Sequence, residues 1–178
     1  MKRFANVLKQ EQGFSLIELI ATLSILSLVI GGIYGVISFG FKAYNKVTVE
    51  NSLRDEADIL MSSIMTQLYT YGPDLVTSIA NENGIEMERT DPLDGNTLPA
   101  KQIKIQNHAL YIMDSSEVES SGKIGDLKSE LADGSSIELD CGNATSCRDG
   151  LIAVTLVLEQ IDQQGQKHQL QMESRFGF

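Results

Sequence analysis

From Phe14 to Phe41 the chain reads FSLIELIATLSILSLVIGGIYGVISFGF, twenty-eight residues whose only formal charge is Glu18. Such a run must be shielded from water by lipid or by other protein. As a helix rising about 1.5 Å per residue it spans roughly 42 Å, more than the ~30 Å hydrocarbon core of a bilayer. Lys2, Arg3 and Lys9 precede it against one acid, Glu11, and Lys42 closes it. The positive-inside rule keeps that basic leader in the cytoplasm and places the remainder outside. Two plain alternatives compete. A secretory signal peptide has an apolar region of only about 7–15 residues and ends in a small-x-small site. This run is longer, carries an acid near its start and is followed by no such site. A simple single-pass anchor leaves Glu18 unexplained, because a charge at membrane depth costs about 2.5–3.5 kcal/mol on insertion scales.

The residues Gly13-Phe14-Ser15-Leu16-Ile17-Glu18 bear on that choice. A short basic leader ends in Gly. An aromatic residue, a Ser, two aliphatics and a Glu follow, and they open a long apolar helix. This resembles the type IV pilin and pseudopilin family, over about the first fifty residues. The resemblance implies that prepilin peptidase cuts between Gly13 and Phe14 and that the new amine of Phe14 is N-methylated. Loss of the leader removes three bases and one acid, taking the net charge from -10 to -12. The resemblance also implies an assembly role for Phe14 and Glu18. In a filament the Glu18 carboxylate would face the terminal amine of a neighbouring subunit. Pairing offsets part of the cost of holding each charge in an apolar bundle. A carboxyl simply kept neutral in lipid is the alternative. Many family members have a proline in mid-helix; this chain has Gly31, Gly32, Gly35 and Gly40 instead. Each glycine costs about 1 kcal/mol in a helix interior. The cluster is either where the helix loosens on assembly or a surface for close helix packing, for which Gly31-x-x-x-Gly35 has the right spacing.

Beyond the membrane the helix is expected to continue to Tyr71. Val49, Leu53, Ala57, Leu60, Ile64, Leu68 and Tyr71 form an amphipathic stripe, with Glu50, Arg54, Asp55 and Asp58 off it. Gly72-Pro73 is a stop signal. Residues 72–101, with three prolines and many acids and amides, read as a loop-rich connector with a short helix near Asp74 to Ala80. Asp91 to Asn96 has the composition of a calcium loop without EF-hand spacing and reads as a surface turn. Strands are expected at Gln102–Gln106, Ala109–Met113, around Ile137–Leu139, at Leu151–Ile161 and at His168–Phe176. Turns are expected at Asn107-His108, Asp133-Gly134 and Asp162–Gly165. Ser115 to Ser129 reads as a long exposed loop. The fold class is therefore α+β, one long helix packed on an antiparallel sheet of about four or five strands. The expected divisions are a leader (1–13), a transmembrane or filament-core helix (14–41), its amphipathic continuation (42–71) and an extracytoplasmic head (72–178).

Cys141 and Cys147 fall in this externally placed part, where disulfides persist. A structural disulfide is the favoured reading over free thiols; it would contribute roughly 2 kcal/mol. Two strands follow the pair, unlike the cysteine-bounded C-terminal segment common in major pilins. His108 and His168 read as surface or edge residues. The sequence offers no catalytic triad, phosphate-cradling loop or paired-carboxylate motif, and neither a metal nor a cofactor is expected. With 24 acids against 14 bases, direct nucleic-acid binding is not expected either. The sequence thus points to a non-enzymatic minor pilin or pseudopilin of a surface pilus, a type II secretion pseudopilus or a competence apparatus. Its partners would be prepilin peptidase, other pilin-like subunits and the cytoplasmic membrane. A single-pass membrane receptor or binding module whose head captures a ligand is the alternative.

Overall fold

The structure, a computed structural model, describes residues 15–116, 122–142 and 144–178. It has one long helix and then antiparallel strands in two sheets, an α+β, pilin-like layout. The chain divides into two compact units, Met1–Asn45 and Lys46–Phe178.

Helix α1 runs from Leu16 to Tyr71, 56 residues, or about 84 Å. It contains no proline. Its early hydroxyls bond back to their own helix: Thr22 Oγ1 donates to Leu19 O at 3.0 Å, Ser24 Oγ to Ile20 O at 2.8 Å and Ser27 Oγ to Ser24 O at 2.8 Å. These polar groups therefore need no partner from the surroundings, which suits an apolar solvent. Gly72 ends the helix with φ of 56°, and its N–H donates to Leu68 O at 2.9 Å. That is a left-handed cap, a conformation glycine adopts without steric cost. Arg89 Nη1 donates to Tyr71 O at 2.6 Å, placing a cation on the negative end of the helix dipole.

The hydrophobic core lies wholly after the apolar run. Leu53, Ala57, Leu60, Ile64, Leu68 and Tyr71 are buried, with Val49 packed at their margin. They meet Val76, Ile85, Met87, Ile103 and Leu110 of one sheet and Ile152, Val154, Leu156, Leu158 and Phe176 of the other. The unit Lys46–Phe178 thus contains its entire core and carries what it needs to fold without the preceding segment.

The first sheet has the order β4-β3-β2-β1-β7, from β1 (Leu75–Ser78), β2 (Asn83–Glu88), β3 (Lys101–Gln106), β4 (Ala109–Asp114) and β7 (Ser146–Cys147). The second has β8 (Leu151–Ile161) at its centre. β5 (Glu130–Leu131) and β6 (Ser136–Asp140) lie along one side of β8 and β9 (Lys167–Gly177) along the other. The β3–β4 hairpin turns at Asn107-His108, both at positive φ (49° and 59°), the turn geometry that matches strand twist. β8 and β9 pair residue for residue from Leu151↔Gly177 to Ile161↔Lys167.

Three expectations are corrected. The segment expected as a short helix near Asp74 to Ala80 instead contains strand β1 (Leu75–Ser78), and the connector 72–101 also holds β2. Val76 pairs with Met87 and Ser78 with Ile85; burial of Val76, Ile85 and Met87 outweighs the loop-like composition around them. There are two sheets, not one of four or five strands, because the chain leaves β6 at Asp140 and re-enters the other sheet at Ser146. Within the expected loop 115–129, Gly122 to Ile124 lie along β4: Ile112 N donates to Gly122 O at 2.8 Å and Ile124 N to Leu110 O at 3.0 Å. The central residues of that loop, 117–121, lie outside the described residues.

Candidate functional site

Ser15 Oγ accepts a hydrogen bond from Ile17 N at 3.3 Å, and Glu18 Oε2 accepts one from Ser15 N at 3.2 Å. This is a capping box: the two side chains satisfy backbone donors that the first helical turn leaves without partners. The acid also sits at the positive end of the helix dipole. The signal is present in the sequence as Ser15-x-x-Glu18 opening an apolar run, and neither reading of Glu18, as an intersubunit charge or as a carboxyl kept neutral in lipid, includes it. Glu18 therefore has a local task in the lone chain, and a simple anchor no longer leaves it unexplained. The cleavage pair Gly13-Phe14 lies outside the described residues.

Past this cap, no residue from 15 to 52 is buried. Leu16 is 78% exposed, Leu28 77% and Phe39 76%. By length and composition α1 is long and apolar enough to cross a membrane. No side chain or backbone comes within 4 Å of a Cβ built on Gly31, Gly32, Gly35 or Gly40. The glycines are open notches on a continuous helix. Residues 8–34 match the family model for the prokaryotic N-terminal methylation motif.

They form a type IV pilin-like prepilin segment. The motif implies processing by prepilin peptidase and assembly with other pilins, and with the apolar helix it marks a membrane-anchored protein. The match ends at residue 34 and does not enter the head. No curated protein and no solved structure matches the chain.

In the head, Cys141 and Cys147 form a disulfide, with Cα atoms 5.8 Å apart. It spans the crossover between sheets, because Cys141 follows β6 directly and Cys147 belongs to β7, pairing with Val76. Glu56, on the buried side of α1, is 8% exposed. Its carboxylate accepts from Ser129 Oγ, from Ser129 N at 2.9 Å and from Lys128 N at 3.2 Å. Burial pushes its pKa up, but these bonds and one from Ser52 outweigh it and hold the group below the usual glutamate value. Glu56 was not singled out by the sequence, where it is one acid among four in nine residues. Its partners Lys128 and Ser129 lie more than seventy positions away.

The remaining candidates are occupied locally. Asp91 Oδ1 accepts from Leu93 N at 2.8 Å and Asp94 Oδ1 from Asn96 N at 3.0 Å; the 91–96 segment is a turn whose carboxylates hold its own backbone. Among the described residues no three His, Cys, Asp or Glu side chains converge as metal ligands. His168 Nε2 lies 3.2 Å from Asp162 Oδ2, and His108 Nδ1 lies 2.9 Å from Leu131 O. A cleft of about 130 Å³ is lined by Leu60, His108, Lys123, Ser129 and Glu130 among others, but Ser129 is already bonded to Glu56.

Proposed function

We propose that the chain is a prepilin whose mature form is a minor pilin or pseudopilin of a type IV pilus-like filament. Residues 1–13 are the leader, removed between Gly13 and Phe14 on the cytoplasmic face. Phe14 becomes the N-methylated terminus. Residues 14–41 wait in the cytoplasmic membrane and then enter the filament core, 42–71 continue the helix, and 72–178 form the head outside the cytoplasm. The role is structural, in pilus biogenesis, protein secretion or DNA uptake. The observation that carries this reading is the prepilin motif at the start of a helix whose apolar side chains are exposed among the described residues. Minor rather than major status is supported by the acidic head and by the two strands that follow the cysteine pair.

In assembly, Glu18 exchanges a local partner for an external one. Its carboxylate is available because the Ser15 amide is a neutral donor, and a cationic terminus on a neighbouring subunit is the stronger partner. In an apolar bundle, leaving one member of such a pair alone costs several kcal/mol, so the pair also sets axial register.

Intact mass of protein co-expressed with prepilin peptidase tests the processing: loss of Met1–Gly13 and gain of one methyl group is expected. Native material beginning at Met1 refutes it. Two variants separate capping from charge pairing. Glu18→Gln keeps a capping-box acceptor and loses the charge; Glu18→Ala loses both. The pairing role predicts that both are cleaved but both fail in N-methylation or filament incorporation. Normal incorporation of Glu18→Gln would leave Glu18 as a helix cap only.

A further inference from the structure

A sheet edge is a row of unpaired N–H and C=O groups, and folded proteins cover, shorten or charge their edges. Most edges of this head are covered. β4 is flanked by Gly122 to Ile124. β7 is two residues long. β5 is tied down by Leu131 N donating to His108 O at 2.9 Å, and β6 by Ile137 N donating to Asn83 Oδ1 at 2.8 Å. β9 differs. Its eleven residues pair with β8 without a bulge, it contains no proline, and among the described residues nothing pairs with its outer side. On the core face its margin is apolar: Leu170 and Met172 are only half-buried. On the outer face it presents Lys167, Gln169, Gln171, Glu173 and Arg175.

We propose that the outer edge of β9 is a self-pairing surface that takes the β9 strand of a second copy of this chain, antiparallel, with Leu170 opposite Leu170. Pairing keeps the two faces aligned only when the summed residue numbers are even, since a one-residue slip turns every side chain to the other face. Among those registers, the one centred on Leu170 sets Lys167 against Glu173 twice and Gln169 against Gln171 twice. On the core face it sets Leu170 on Leu170 and His168 against Met172. Centring on Gln171 instead sets Lys167 against Arg175, a like-charge clash. The register centred on Ser174 also pairs opposite charges, Glu173 with Arg175 twice, but it leaves the half-buried Leu170 outside the paired residues of the strand; the Leu170 register joins that apolar margin and pairs opposite charges together. Lys167 Nζ already lies 2.6 Å from Glu159 Oε2 of its own chain, but an ammonium has three donors and can serve both acids. The surface uses no residue of the apolar N-terminal helix.

The test uses the unit Lys46–Phe178, the head with the amphipathic part of α1 that completes its core, followed by sedimentation up to about 1 mM. Wild type is expected to form a reversible dimer. Glu173→Lys alone and Lys167→Glu alone each place like charges opposite each other and should weaken self-association at least about tenfold. Mixed together, the two variants restore both opposite-charge pairs and should form a heterodimer as tight as wild type. Register is read separately: Gln169→Cys heads should form a disulfide with Gln171→Cys heads in preference to either alone, the native cysteines being already paired. A wild-type head that stays monomeric, single variants that associate like wild type, or cysteines joined without register preference would each overturn the assignment.

Discussion

Replacing Glu56 by alanine removes the joint between α1 and the segment that leads into β5. The effect can be estimated from its partners. Lys128 is exposed, so its N–H would find water at little cost. Ser129 is 8% exposed, so its N–H and hydroxyl would lose a charged acceptor where water is scarce. Hydrogen bonds to charged groups contribute about 1.5–3 kcal/mol each, and a buried donor without a partner costs about 1–3 kcal/mol. These figures overlap and do not add fully, so Glu56→Ala should destabilise the head by about 2–4 kcal/mol. Glu56→Gln keeps one acceptor oxygen and should cost about half as much. The pH dependence has a definite sign. The folded pKa is held below the unfolded value, so the carboxylate's contribution is present in full above the unfolded pKa. It is lost as pH falls through the folded value. The stability difference between wild type and Glu56→Gln should therefore shrink between neutral pH and about pH 3. Urea unfolding of Lys46–Phe178 at several pH values measures this. Other carboxylates titrate in the same range, and comparing the two proteins at each pH cancels them. A loss below about 0.5 kcal/mol for Glu56→Ala, or a wild-type-to-Gln difference independent of pH, would refute the reasoning.

Other outcomes follow from the head's geometry. Cys141→Ser with Cys147→Ser should lower stability by roughly 2 kcal/mol and free β7 from β1, read as faster amide exchange at Ser78, whose N–H donates to Thr145 O at 2.9 Å. Gly84→Ala should be severely destabilising, because the new Cβ would lie 2.5 Å from Ile103 O and 2.6 Å from Lys104 Cβ; a melting temperature within a degree or two of wild type would contradict the β2–β3 packing. Leu156→Ala, at a fully buried site in the central strand, should cost about 2–5 kcal/mol in urea unfolding.

Much of this fold is legible where periodicity is long. The stripe from Leu53 to Tyr71 repeats over five turns, and its residues are buried in the structure. β9 alternates over eleven residues, and its even-numbered positions face the core. Short elements are not legible in the same way. β2 buries Ile85 and Met87 and turns Glu86 outward, but six residues of alternation were outweighed by the prolines and acids around them. Asn83-Gly84 has the form of a hairpin turn yet lies inside the strand. The turn falls earlier, at Asn81 with φ of 62°, and Asn83 instead bridges the two sheets, donating through Nδ2 to Ser135 O at 2.6 Å. β7 has no periodicity to read at two residues. The Glu56 joint is invisible for a different reason: it is held by two backbone amides and a serine hydroxyl more than seventy positions away, which no local side-chain pattern marks.

The distribution of burial follows from the same sequence. Core residues begin at the margin with Val49 and in full with Leu53, while Leu16, Val36 and Phe39 remain more than 70% exposed. A stripe one face wide can be covered by two sheets, but a segment apolar on every side cannot be covered by a head whose inner faces are already filled. Adding strands would not help, because the run has no polar face to leave in water. Only a surrounding apolar medium or a ring of similar helices can take it, and the prepilin motif at residues 8–34 implies both environments in succession, membrane and then assembly with other pilins. Gly31 and Gly35 are open notches four residues apart on the helix, the spacing of close helix packing. A neighbouring helix can approach closely at such notches and gain contacts that lipid chains cannot match.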